Sequence, residues 1–280
     1  MNKSLKSALK DWLPPVVYVS LIRLVTELRF LSYTRKDILQ KNRLLKGMGK
    51  GKRAFLLATG PSIKQENLKL LAGEDCFSIS NFFLHDDIKV INPVFHGLGF
   101  YHEPLILENY VEWLRLADRT LPPRTKIILG HTAYDIVQNY GLFPDREVCY
   151  IYFASSRRRC VNLLRPVLCA LTGPLLMLPL IIYMGYEQIY LLGCDNTTIR
   201  DYKKTFTNFY NPDQDMRKNA TDKNMWIDIE TEFWANTIIF EQYRFYQDIL
   251  KFTSTRITNL SVDSWLEMFP FDRLENIIQK

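Results

Sequence analysis

The sequence is poor in the residues that build metal and disulfide sites. Its 280 residues hold four histidines and five cysteines. The cysteines, Cys76, Cys149, Cys160, Cys169 and Cys194, form no C-x-x-C pair, and their number is odd. That excludes a simple disulfide framework or thiolate zinc site and fits a reducing compartment. There is no G-x-G-x-x-G turn and no Walker lysine, so neither common phosphate fingerprint is present. Internal repeats and low-complexity tracts are lacking. Three N-x-S/T sequons begin at Asn196, Asn219 and Asn259, with no secretion signal ahead of them to give them meaning.

An excess of positive charge is confined to one place. Residues 1–53 carry 13 Lys/Arg against three acids, a balance of +10, so the other residues carry 23 against 27, a balance of −4. A nucleic-acid binder spreads its bases over a folded surface, so that class is set aside. Residues 1–50 are expected to form a basic, amphipathic helical arm, broken at Pro14-Pro15. Residues 1–35 would either lie on an anionic membrane surface or pack on the body with their charges solvated. The uncharged run at residues 166–186 is the length of a membrane span, but Thr172-Gly173-Pro174 interrupts it. The uninterrupted part, residues 174–184, is too short to span, and it reads as a buried helix beside a central strand.

Strand patterns at residues 53–58, 76–80, 94–96, 126–129, 148–153, 188–192 and 256–260 alternate with helical patterns. The helical patterns cover residues 64–71, 105–117, 133–140, 174–184 and 229–252. The alternation predicts an α/β fold over residues 51–280: a Rossmann-like, mostly parallel sheet with helices on both faces. Ligands of such sheets bind at the carboxyl ends of strands. The residues just past the strands there are Gly60-Pro61-Ser62, Asn81, His96-Gly97, Gly130-His131 and Gly193-Cys194-Asp195-Asn196. Strand, small-residue turn and helix start at Gly60-Pro61-Ser62 suit a phosphate, though turn punctuation alone would use the same residues. Residues 197–228 are polar, aromatic and turn-rich, which suits a lid; Tyr202, Phe206, Phe209 and Tyr210 would close it. The alternative is a surface excursion that packs its aromatics on the body.

The stretches "FLLATGPSI", "SISNFF" and "TGPLLMLPLIIYMGYEQIYLLGCDN" resemble the bacterial sialyltransferases of glycosyltransferase family forty-two. They also resemble the domain shared by motility accessory factors and 6-hydroxymethylpterin pyrophosphokinase-like proteins. The first resemblance implies a metal-independent transferase that uses a CMP-activated nonulosonic acid, a nucleotide-sugar donor, as substrate and needs no cofactor. It implies that Gly60, Pro61 and Ser62 cradle the nucleotide, that Asn81 lines the donor site, and that Thr172 and Gly173 form its small-residue loop. Gly193 and Asp195 would be the strand end beside the nucleotide. The acceptor would be a glycan or glycolipid of lipopolysaccharide, lipooligosaccharide or capsule, met at the cytoplasmic face of the inner membrane. A homo-oligomer is left open. The family's general-base histidine follows the strand-end aspartate, whereas here His85, His96, His102 and His131 all precede Asp195. The base is therefore sought among Asp195, His131, His96 and Tyr202. Diphosphate transfer of the pterin type, or nucleotide binding without catalysis, are the alternatives.

Overall fold

The apolar runs pair into one seven-stranded sheet in which every neighbouring pair is parallel. The computed structural model describes residues 12–154, 161–204, 208–217 and 228–279. After a helix α1 (Pro15–Ser32) and a single turn α2 (Asp37–Gln40) come β1 (Arg53–Leu57), β2 (Asp75–Ile79), α3 (Ile88–Ile91) and β3 (Phe95–Gly97). Next are α4 (Leu107–Thr120), β4 (Lys126–Gly130), α5 (Tyr134–Asn139) and β5 (Val148–Ile151). A small parallel pair, β6 (Phe153–Ala154) and β7 (Val167–Leu168), precedes α6 (Gly173–Met184) and β8 (Gln188–Leu192). The chain closes with α7 (Ile229–Leu250), β9 (Arg256–Asn259) and α8 (Leu274–Ile278).

Strand order across the sheet is β5-β4-β3-β2-β1-β8-β9. The chain winds outward from β1 to β5, then returns to lay β8 against the other side of β1. That reversal makes the β1/β8 boundary the topological switch point, where crossovers leave to opposite sides and open a crevice at the carboxyl ends. Successive residues of β1 serve opposite faces: Phe55 and Leu57 enter one apolar cluster, Ala54 and Leu56 the other. Burial on both faces explains why these strands read as unbroken apolar runs. The helix α6 is apolar all round because it is covered all round. It lies across β1, β2 and β3 and shares one cluster with Ile239, Tyr243, Tyr246 and Ile249 of α7. No helix among the described residues is long and apolar enough to cross a membrane.

Two sequence expectations need correction. Residues 64–71 are not one helix but two short 3-10 turns, Pro61–Gln65 and Leu68–Leu71, with Glu66 extended between them. Ser62 is turned toward Asp195 and caps nothing, so no cap nucleates an α-helix there. The strand expected at 148–153 splits, and Phe153 leaves the main sheet to pair with Val167.

The described C-terminal part of the arm packs on the body. Phe30, Ile38 and Leu39 are buried in the same cluster as α4. Phe30 stands edge-on to Tyr152 at 5.1 Å, and Tyr33 does the same. Asn42 Nδ2 donates to the Tyr150 and Leu163 carbonyls, and Gly49 N–H donates to the Met184 carbonyl. Residues 1–11 of the expected arm lie outside the described residues.

Phe30→Ala is therefore expected to cost about 3–5 kcal/mol, as a buried aromatic truncation does. A chain begun at Lys36 should melt lower still, since it strips Phe30 and Tyr33 from Tyr152. Unfolding midpoints in urea for the two forms and the parent check this; unchanged midpoints would mean that the arm does not hold the body.

Candidate active site

At the switch point two glycines let β1 and β8 approach more closely than side chains would allow. Gly193 has φ of +66°, and a Cβ there would stand 2.7 Å from the Ala58 carbonyl oxygen. Gly60 has an ordinary φ, but a Cβ on it would run into the Gly193 carbonyl oxygen and come within 2.7 Å of the Asp195 carboxyl. The gap is closed by hydrogen bonds. Gly60 N–H donates to Gly193 O at 2.9 Å, Ser62 N–H to Asp195 Oδ2 at 2.9 Å, and the Ser62 hydroxyl to Asp195 Oδ1. Thus Gly60, Pro61, Ser62, Gly193 and Asp195 meet, but the turn's donors are aimed at the protein's own carboxylate. The turn does not present a row of open N–H groups to a phosphate.

Asp195 is buried, and burial raises its pKa above the ordinary carboxylate value, against the two bonds from Ser62 that favour its charge. Behind it, Ser264 Oγ donates to the Cys194 carbonyl, and Ser261 Oγ accepts from Cys194 N–H. Asp195 and Ser62 form one wall of a cavity of about 260 Å³, with Gln65, Arg200, Asp201, Lys204 and Asp263 around it. Arg200 binds Asp201 and Asp263 together, and Lys204 adds a second cation to Asp201. The hydrogen-bonded Arg200 holds Asp201 well below the usual carboxylate range.

On the α6 side the arrangement differs. Thr172 sits at the N-terminus of the twelve-residue α6 and makes no capping bond. Its Oγ1 is buried without a partner, and so is the hydroxyl of the fully buried Tyr243. The Tyr243 hydroxyl reaches from α7 to the side chains of Thr172, Asn196 and Cys194, close enough to interact with each as a hydrogen-bonding group, although none of these contacts closes in full hydrogen-bond geometry. Gln242, its neighbour, clamps the preceding loop by donating to the Cys169 carbonyl and accepting from Leu171 N–H. Position 173 is glycine because a Cβ there would strike Ile79 at the end of β2. Two buried hydroxyls without a closed hydrogen bond thus lie together at the N-terminus, the positive end, of α6.

The remaining expected residues lie apart. His96 is inside β3, fully buried, with Nδ1 against Ser78 Oγ at 2.7 Å and Nε2 against the Ser80 carbonyl at 2.9 Å. Burial pushes its pKa down to about 3, so it is a neutral core imidazole with no nitrogen free to act as a base. His131 comes after β4 and stacks on Tyr152 at 4.0 Å, edge-on to Tyr33. It belongs to the docking surface of the arm, three strands from β1. Tyr202 follows Asp201 in the chain and lies under the ammonium of Lys203, and it does not line the cavity.

Asn81 is wholly buried; its Oδ1 accepts from Trp113 Nε1, and its Nδ2 has no bond. Residues 208–217 of the expected lid cover it, with Tyr210 and Asp215 against its side chain. Phe209 N–H donates to the Thr59 carbonyl just past β1, and the Phe209 ring rests on Phe82 and His85. Arg217 lies over the Trp113 ring at 4.5 Å and grips Asp215 through Nε and Nη2. Burial raises the Asp215 pKa, but Arg217 more than offsets this and holds the carboxylate low. Phe209 and Tyr210 thus pack on the body, while Phe206 lies outside the described residues. Asp213-Gln214-Asp215 is a D-x-D triplet in this segment. Its second carboxylate is held by Arg217. Among the described residues no cluster of three His, Cys, Asp or Glu has metal-binding geometry.

Sequence reasoning missed Tyr243, Gln242 and Arg217. The first two sit mid-helix and look like core residues, and the third lies in an irregular segment whose path no periodicity reveals.

No family model matches the chain, and no curated protein matches it in sequence. Among solved structures it is similar to the sialyltransferase CstII. A CstII point variant holding CMP is 14% identical, with a TM-score of 0.44, over 79% of this chain and 85% of that one. CstII with a trisaccharide acceptor and CMP gives 14% and 0.43 over the same shares. CstII from Campylobacter jejuni with cytidine-5'-monophosphate, a substrate analogue, also gives 14% and 0.43. At this distance the similarity assigns no site residue.

The Asp195 geometry has a pH signature. A carboxylate whose folded pKa is raised contributes stability that is whole below its unfolded value, about 4, and lost as pH rises through the folded value. Asparagine can still accept from Ser62 N–H and face the hydroxyl, without ever ionising. The stability of Asp195→Asn relative to the parent should therefore rise between about pH 4 and pH 7. Urea midpoints across that range test it, and a flat difference would count against a buried, strained charge. Gly60→Val, in contrast, should cost at least about 1–3 kcal/mol at any pH, because its branches meet backbone.

Proposed function

We propose that the chain is a glycosyltransferase that takes a nucleotide-activated sugar, of the CMP-linked nonulosonic acid class, and delivers it to a cell-surface glycan. The observation that carries this reading is the pair of buried, unpartnered hydroxyls, Thr172 Oγ1 and Tyr243 OH, at the N-terminus of α6 beside the switch point. Buried polar groups are normally satisfied, and orphans aimed at a helix N-terminus are what a phosphate or ribose would complete. In the transfer, an acceptor hydroxyl bonds to the anomeric carbon while the bond from that carbon to the phosphate oxygen breaks. CMP leaves with the electron pair, and the hydroxyl proton passes to a base. Asp195 is the carboxylate suited to that proton, since burial raises its affinity for it and it lines the cavity. Tyr202, next in the chain to the cavity residue Asp201, is a secondary candidate.

The acceptor class, a lipopolysaccharide, lipooligosaccharide or capsule glycan, and the cytoplasmic location follow from the sequence resemblance. The reaction needs no metal on this reading, because the leaving phosphate would be met by fixed hydroxyls and the helix dipole.

Thr172→Val and Tyr243→Phe separate this function from a structural role. Removing a hydroxyl that has no partner should leave the melting temperature unchanged or raise it. CMP affinity, read by calorimetry or thermal shift, should fall about tenfold or more, the loss of about 1.4 kcal/mol. Hydrolysis of a CMP-sugar without acceptor should fall with it and persist in EDTA. If both folded variants bind CMP as the parent does, the site lies elsewhere. If the parent binds CMP but never hydrolyses or transfers the sugar, the chain is a binding module.

A further inference from the structure

The helix α1 is apolar on two opposite sides, and the body uses only one. Thr26 and Phe30, one turn apart, are buried against the core. Two residues before each, Leu24 and Leu28 lie about 200° around the helix. They are 55% and 56% exposed, and Leu31 on the same side is 60% exposed. Val17 extends the stripe and Trp12 precedes it, both exposed. A run of large apolar side chains open to water along about four turns marks an interaction surface.

We infer that this outer face of α1 docks on an anionic lipid bilayer, with α1 lying in the plane of the interface while its inner face stays on the body. Charge selects this occupant. Arg23 and Arg29 flank the stripe, Glu27 is the single acid of the helix, and residues 1–53 hold 13 bases against three acids. An apolar stripe edged with arginines, with an indole at one end, fits the boundary between acyl chains and acidic headgroups. A second copy of the chain would fit it poorly, because pairing two α1 helices would bring two strongly basic segments together. The inference is independent of the catalytic reading. It makes the interfacial and packed readings of the arm compatible, since they use different faces.

Deletion of the arm cannot test it, because Phe30 would be lost with the stripe. The test uses the full chain with Leu24, Leu28 and Leu31 each changed to Gln. These side chains are exposed, so the melting temperature should stay near that of the parent. Co-sedimentation is measured with vesicles of phosphatidylcholine alone and with about a third phosphatidylglycerol, at about 0.05 M and 0.5 M salt. The parent should pellet with the anionic vesicles at least tenfold better than with the neutral ones, and less well in high salt. The triple variant should lose at least tenfold, and Arg23→Gln with Arg29→Gln should lose mainly the salt-sensitive part. Equal pelleting of parent and triple variant, or no preference for anionic lipid, would overturn the inference. So would a parent that does not pellet but dimerises through these leucines.

Discussion

The arrangement depends on a carboxylate bonded to a turn across two strand ends. Asp195 comes after β8 and Ser62 after β1, and both carboxylate oxygens are taken by Ser62. The bonds tie together the two strands from which the chain winds in opposite directions. They also require the glycine pair, because any side chain at Gly60 or Gly193 would hold the strand ends apart. A buried carboxylate costs much unless it is paired, and here hydrogen bonds rather than a cation satisfy it. That keeps its charge conditional, as a raised pKa requires, and leaves the group at the cavity wall able to take a proton.

Other parts of the site are held by elements that contribute no chemistry themselves. Gln242 fixes the loop ahead of Thr172, and α7, packed on α6, brings the Tyr243 hydroxyl to the same place. The segment carrying Phe209 and Arg217 seals the opposite flank over Asn81. One flank is thus covered by the segment at 208–217, and polar atoms without a closed bond remain on both, Asn81 Nδ2 on one and the Thr172 and Tyr243 hydroxyls on the other. Native interiors rarely tolerate such atoms without a reason. The aromatic cluster of Phe30, Tyr33, His131 and Tyr152 does separate work, holding the arm to the far side of the sheet.

Much of this was legible from residue order. Strands with continuous apolar character announced a doubly covered parallel sheet, and the uncharged residues 174–184 announced a helix buried within it. Gly60, Ser62, Gly193 and Asp195 were singled out because turns after strands gather small and polar residues at one edge, and the fold brings these four together. His96 and His131 were misleading for the same reason. Position after or at the end of a strand says which edge a residue occupies, but not whether its ring points into the core. The helix expected at 64–71 failed because its periodicity was read without knowing that Ser62, its would-be cap, was engaged 133 residues away.

The sequence alone determined the layer architecture, since hydrophobic periodicity and chain order leave few ways to bury these strands. It also determined the asymmetry of charge between residues 1–53 and the rest. Only the tertiary structure decided which polar groups are satisfied. Whether the Ser62 hydroxyl caps a helix or binds Asp195, and whether Thr172 and Tyr243 find partners, depends on contacts between residues far apart in the chain. Hydrogen bonds act over about 3 Å, and no local pattern encodes which distant groups will come within that range.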